Sequence, residues 1–341
     1  MLFSVGYQAD ERLKRTVLRC RDAVRELYFP WAGFSSGRGV PRGGAETQRR
    51  MERDLAEYAA AGLGMNLLLN GNCYGRHSQS RGFFQEVGDT VAYLVERVAL
   101  GDVTTASPLI AKFLKTNFPE LELRASVNME IGTPAAAGYL LPLFDAFYLK
   151  REFNYDLERI AEMREWGAAN GKKLYLLANS GCLDFCPART FHDNLVAHQH
   201  EIAEMDNAFD FPGLCHEFLS ETGNRATLLS RSNFIRPEDV PLYEGLCDGM
   251  KLATRTNRNP AAVVAAYAEG RFSGNLLELT EPAHAGHFYP EIIAGDRFPS
   301  DYAARRLRCR DRREAERYCN EVQKNATIRL EEMEEMKHAD Q

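Results

Sequence analysis

No apolar run in the chain approaches the ~20 residues that span a bilayer, and the opening Met1-Leu2-Phe3-Ser4-Val5-Gly6-Tyr7 lacks the charged start and long apolar stretch of a secretion signal. The expectation is a cytoplasmic chain with no membrane contact. Basic charge is not in excess: 42 Lys and Arg against 48 Asp and Glu leave a net charge of −6, which removes the bulk electrostatic drive toward nucleic acid or an anionic surface. No Gly-x-Gly-x-x-Gly turn or Walker loop is present, so nothing favours a nucleotide-binding sheet. His-Glu-x-x-His, Gly-x-Ser-x-Gly and Cys-His-Asn signatures are missing too, which removes the common sequence support for a hydrolase. Internal repeats and low-complexity linkers are absent.

What is there reads as an ordinary globular chain. At 341 residues and 45% hydrophobic, it is long enough for a sizeable core, as one α/β barrel with an appendage or as two domains. Short apolar runs at 2–5, 25–29, 65–69, 102–105, 123–127, 146–149, 173–177 and 249–253 read as strands. Segments of helical period at 11–21, 47–60, 84–99, 108–116, 134–141, 157–169 and 237–247 separate most of them, and 260–269 follows the last. Repeated βα units imply parallel strands with right-handed crossovers. Eight of them predict an α/β fold, a TIM-like (β/α)8 barrel, over 1–275; an open doubly wound sheet is the alternative. Residues 276–341 form a C-terminal extension, and the polar stretch from Arg305 to Gln341 reads as a charged helix.

One interval breaks the rhythm. About 70 residues separate the seventh and eighth strands, far more than a regular connection needs. This insertion, at about 180–235, carries Cys182, Cys186 and Cys215 with His192, His198, His200 and His216. Loops at the C-terminal ends of barrel strands build the active site in this architecture, so a Cys/His-rich excursion falls where chemistry is expected. In a reducing compartment, clustered cysteines point to metal binding more than to disulfides. The third position of a C-x3-C-x2-C radical motif is Arg189, and neither cysteine pair has zinc-ribbon spacing. A zinc site from two cysteines and histidines stays open. Cys309 and Cys319 in the tail are too few for a site alone. Arg38 follows the second strand, Arg124 starts the fifth, and Lys251 and Arg255 lie on the eighth. Such cations suit an anionic substrate, and Lys251 stands out because an unpaired charge inside an apolar strand is costly. Glu130, at the end of the fifth strand, is a candidate general acid/base.

Further motifs carry a family resemblance: Arg124-Ala125-Ser126-Val127-Asn128; Asn179-Ser180-Gly181-Cys182 with Cys186 and Cys215; Ile235-Arg236-Pro237-Glu238-Asp239 with Tyr243; Gly249-Met250-Lys251-Leu252-Ala253-Thr254-Arg255; and Glu26-Leu27-Tyr28-Phe29 followed by Ser36-Gly37-Arg38. From Met1 to about Gly270 the chain resembles a divergent branch of the peptidase U32 family. The resemblance implies a TIM-like barrel and, despite the family name, oxygen-independent hydroxylation on a [4Fe-4S] cluster held by four cysteines, with a prephenate-like oxygen donor. By resemblance, Cys182, Cys186 and Cys215 match three cluster ligands, Cys73 is the candidate fourth and Cys247 the fallback. The family's Lys-Ile-Glu-Gly-Arg strand has become Lys251-Leu252-Ala253-Thr254-Arg255, losing the acidic residue and keeping both cations. The expected catalytic set is Lys251, Arg255 and Glu130, and the expected substrate-binding set is Arg38, Arg124 and Asn128. The leading expectation is an iron–sulfur enzyme modifying a small molecule or peptide, since the acidic balance disfavours RNA. Alternatives are a metal-dependent hydrolase or peptidase, with zinc in place of the cluster, and a non-catalytic cluster-bearing subunit of a hetero-oligomer.

Overall fold

The computed structural model describes residues 1–41 and 43–332. Eight parallel strands close into a barrel in sequence order: β1 (Phe3–Gly6), β2 (Val24–Pro30), β3 (Gly64–Leu69), β4 (Asp102–Thr105), β5 (Glu122–Ala125), β6 (Ala146–Tyr148), β7 (Lys173–Leu177) and β8 (Gly249–Leu252), with β8 returning to β1. All eight strands read from the sequence are present, and the open sheet is excluded because Phe3, Ser4 and Val5 pair with Met250, Lys251 and Leu252. Runs such as Leu67-Leu68-Leu69 are buried throughout, as expected of parallel strands covered on both faces.

The covering helices are α1 (Glu11–Arg19), α2 (Ala45–Ala60), α3 (Arg81–Val98), α4 (Pro108–Asn117), α5 (Pro134–Gly138) and α6 (Leu157–Asn170). Local chemistry sets their ends. Asp10 accepts from the Arg12 and Leu13 N–H groups, Ser107 caps α4 ahead of Pro108, and Gly171 closes α6 at φ 63°. The helix expected at 237–247 is instead a 3-10 turn, Pro237–Tyr243, with Pro241 inside it; a proline there removes an N–H that an α-helix needs.

After β7 the insertion folds as short helices α7 (Arg189–Ala197), α8 (Gln199–Ile202), α9 (Leu214–Ser220) and α10 (Thr222–Arg225). After β8 come α11 (Pro260–Glu269), α12 (Ala285–Phe288), strand β9 (Glu291–Ile293), α13 (Tyr302–Leu307), α14 (Arg312–Ala326) and strand β10 (Thr327–Arg329), which pairs antiparallel with β9. The charged tail is therefore two helices and a strand over its described part. It is amphipathic rather than solvated, because α14 buries Tyr318, Cys319 and Val322 against Tyr302; Cys319 is a core residue. The rest of that tail, 333–341, lies outside the described residues. Among the described residues no helix is long and apolar enough to cross a membrane.

Two linkages carry the extension back over the barrel. Asn179, just past β7, donates to the Ala253 and Leu279 carbonyls at 2.8 and 2.7 Å and accepts from the Ala253 N–H at 2.6 Å. Gly181 N–H then donates to the Glu281 carbonyl, and Glu281 N–H to the Asn179 carbonyl, each at 3.0 Å. A side chain at Gly181 has no room: its Cβ would lie 1.9 Å from the Pro282 carbonyl oxygen. The segment from Glu281 onward thus lies against the loop that carries Cys182.

Candidate functional site

The barrel interior is polar in two layers. In the lower one, Arg124 reaches across from β5 to Glu26 on β2 at 2.5 Å, and also holds Asp102 and Glu122 at 2.7 Å. Its guanidinium is fully buried beside the Tyr175 ring. Burial would push the Glu26 carboxyl up, but Arg124, Asn66 and Ser4 hold it down at about 2. Burial also drives Asp102 up to about 7 against the pull of Arg124. The substrate-binding role expected for Arg124 is corrected here, since its three donor nitrogens are taken by three carboxylates inside the barrel.

The upper layer opens at the C-terminal strand ends, into a small inner cavity of about 60 Å³ lined by Tyr28, Arg38, Asn128, Arg151, Lys251, Arg255 and Glu281 among others. Four cations face one carboxylate. Arg38 takes up Glu281, with Nε and Nη2 both 2.9 Å from Oε1. Burial alone would raise the Glu281 carboxyl; Arg38, the Thr256 N–H at 3.0 Å and Arg255 more than offset it and hold it below the usual range. Lys251 and Arg255 have no carboxylate within ion-pair distance among the described residues. The Lys251 ammonium sits 3.9 Å from the centre of the Tyr28 ring, and burial, with Arg255 nearby, depresses its pKa to about 7. Arg255, bonded to Ser36 Oγ at 3.0 Å, is lowered by burial to about 10. Lys251, Arg255, Arg38 and Asn128 therefore gather in one mouth.

A second cavity, of about 260 Å³, adjoins the first and shares Arg38, Asn128, Arg151 and Glu281 with it. Its other walls include Cys182, Cys186, Cys215, Arg189, His192 and His216. The three expected cysteines are thus brought together. Arg151 Nη1 donates to Cys182 Sγ at 3.3 Å. Burial would raise that thiol, but Arg151, Arg189 and Arg38 outweigh it and leave it lowered. Cys215 is pushed up to about 11 by burial.

The remaining expectations fare differently. Cys73 is not among the residues lining either cavity; its Sγ accepts from the Gly75 N–H at 3.4 Å. Cys247, the fallback, is buried beside Met1 at the start of β8, at the end of the barrel away from the mouth. Glu130 lines neither cavity: it holds Arg189 at 2.9 Å and Lys150 at 3.3 Å, so it positions a cation and does not face the mouth. His198 and His200 flank Glu201. A zinc site from the insertion's own residues is corrected as well. Among the described residues, only His216, His284 and His287 bring three ligand atoms within 4.8 Å of one another, and two of those rings come from the extension.

Sequence reasoning missed Arg151, Arg189, Glu281, His284 and His287. Arg151 follows the sixth strand directly, a signal of the kind that singled out Arg38. His284-x-x-His287 is spaced to put two rings on one side of a helical turn. Glu281 has no local signal, because only the extension's path over the barrel places it.

No family model matches the chain. It is 34% identical over 310 residues to a protein of Methanocaldococcus jannaschii described as "Uncharacterized protease MJ1657", covering 84% of this chain and 88% of that relative. The solved U32 peptidase Mk0906 shares the fold, with a TM-score of 0.55 and 19% identity over 74% of this chain and 92% of that one.

Proposed function

This chain belongs to the U32 peptidase family, and from that premise we propose that it is an iron–sulfur-dependent oxidoreductase of a small carboxylate-bearing molecule, oxygen-independent hydroxylation being the specific form. The observation that carries the proposal is the adjacency of two cavities sharing four wall residues, one lined by three thiols and the other by four cations.

Three corners of a cluster would fall to Cys182, Cys186 and Cys215. Three cysteines surround one cavity without converging on single-ion distance, which suits a polyatomic cluster better than one metal ion. Cys182, with its lowered thiol, would bind first, because thiolates are the ligating form. Cys73 is not in the cavity, so the fourth corner would fall to His192 or the substrate. When bound, the cluster supplies electron transfer or an open iron site, tuned by hydrogen bonds to sulfur.

The chain's own residues do the rest. Arg255 presents a planar fork suited to a carboxylate, and Arg38, whose own fork holds Glu281, adds its charge beside it. Lys251, titrating near neutral pH, adds a third charge or holds a proton beside the bound molecule. Arg151 belongs to both cavities, so it fixes the distance between the bound anion and the thiols. A peptidase reading has less support: Cys215 is pushed up to about 11, and Cys182 is bonded to a guanidinium and not to a base.

Anaerobic purification tests the proposal. The expected product is brown, with about four iron and four sulfide per chain, and Cys182→Ser loses both. A colourless chain that takes up no iron on anaerobic reconstitution overturns it.

A further inference from the structure

His216 lies on α9 in the insertion, and His284 and His287 flank and enter α12 in the extension. His284 is buried, with its Nε2 2.8 Å from the Gly181 carbonyl oxygen. A carbonyl only accepts, so Nε2 carries the hydrogen and Nδ1 presents its lone pair. That Nδ1 is itself buried and has no hydrogen-bond partner among the described residues. An imidazole whose N–H is anchored on a backbone carbonyl and whose other nitrogen is bare is the arrangement that metal-ligating histidines adopt. The other two rings close the set: His216 Nδ1 and His287 Nε2 lie 3.0 Å apart, and ring centroids are 5.1–6.0 Å apart around the triad.

We infer that His216, His284 and His287 bind one borderline divalent cation of the zinc class, and that this ion locks the extension to the cysteine-bearing insertion. Three neutral nitrogens with no carboxylate in the set select Zn2+ and its neighbours over Mg2+ or Ca2+. Three protein ligands leave one position for water. The position of the site explains its use. His216 is the residue after Cys215, and His284 is hydrogen-bonded to the residue before Cys182. An ion there fixes Cys215 relative to Cys182, although none of its ligands is a cysteine. The inference does not rest on the iron–sulfur reading and survives its failure.

The probe is Co2+, a spectroscopic substitute for Zn2+, added to the chelator-treated full chain carrying no histidine tag. Expected are one Co2+ per chain, visible ligand-field bands without a near-ultraviolet thiolate-to-cobalt band, displacement by Zn2+, and slowed amide exchange over 214–220 and 284–288. Because His284 is buried and its loss can unfold the segment, the main variant is the partly exposed His287→Gln. It should abolish the bands with circular dichroism unchanged, and His192→Gln should retain them. Absence of Co2+ uptake by the natural chain, uptake unchanged in His287→Gln, or a thiolate band removed by Cys215→Ser each overturns the inference.

Discussion

Arg151 and Cys182 form a half-buried donor–sulfur contact of 3.3 Å between the loop after β6 and the loop after β7. Arg151 also lines both cavities, so one guanidinium serves the thiol and the anion pocket together.

That contact predicts selective reactivity. In metal-free protein, iodoacetamide should label Cys182 at a lower pH than Cys215, since arginines hold the first thiol down and burial raises the second to about 11. Arg151→Met should shift the labelling midpoint of Cys182 upward. Peptide mass mapping across pH checks both, and equal labelling of the two thiols would remove the electrostatic argument.

Lys251 predicts a pH-dependent pocket. Its pKa is depressed to about 7 from 10.5, so affinity for a dicarboxylate such as malonate should fall as pH rises through ~7. Lys251→Met should weaken binding at pH 6 by roughly ten- to a hundredfold, the worth of one charged hydrogen bond, and flatten the pH profile. The sign for stability is opposite. Between 7 and 10.5 the unfolded chain holds the proton and the folded one does not, so stability rises with pH across that window, and below it the buried charge costs a few kcal/mol. Lys251→Met should therefore be stabilising at pH 6. Calorimetric titration and urea unfolding at pH 6 and 9 measure the two effects.

Arg124 should behave as a structural cation. Arg124→Met leaves Glu26, Asp102 and Glu122 without their shared partner, and breaking a buried ion pair from one side costs about 3–5 kcal/mol. The loss should be largest above neutral pH and shrink as pH falls, because the orphaned carboxylates then take up protons. Urea midpoints across pH test this, and malonate affinity should change little in the variant that remains folded.

These two cations show how far the sequence is legible. Lys251 sits inside a short apolar strand, so pattern alone marks it as a costly buried charge, whereas Arg124, two residues after Glu122, carries no such mark. Which end of the barrel each faces depends on strand register: Arg124 lies level with Thr104 and Ala146, and Lys251 level with Ser4 and Leu177. The barrel itself is readable because most of its strands are short runs rich in apolar residues, and most are followed by a capped or periodic helix. The cysteine loop was readable from its place after the seventh strand. Glu281, His284 and His287 were not, because a long return over the barrel brings them beside Gly181, and no local periodicity encodes that path.

Gly181 is where that return path can be tested. A Cβ there would sit 1.9 Å from the Pro282 carbonyl oxygen and 3.0 Å from its carbon. Both are backbone atoms, so no rotamer change relieves the clash and the extension must move. Overpacking of this kind costs about 1–3 kcal/mol or more. The barrel strands do not depend on that contact, so Gly181→Ala should keep its circular dichroism while amide exchange accelerates over 279–290. Displacing the segment carries away Glu281, the carboxylate partner of Arg38, and breaks the bond from His284 to the Gly181 carbonyl. Malonate should then bind more tightly, because four cations face the pocket without their internal competitor, while the cobalt bands of the histidine triad should disappear. A Gly181→Ala chain with unchanged exchange over 279–290 would mean that the extension is not held against the β7 loop.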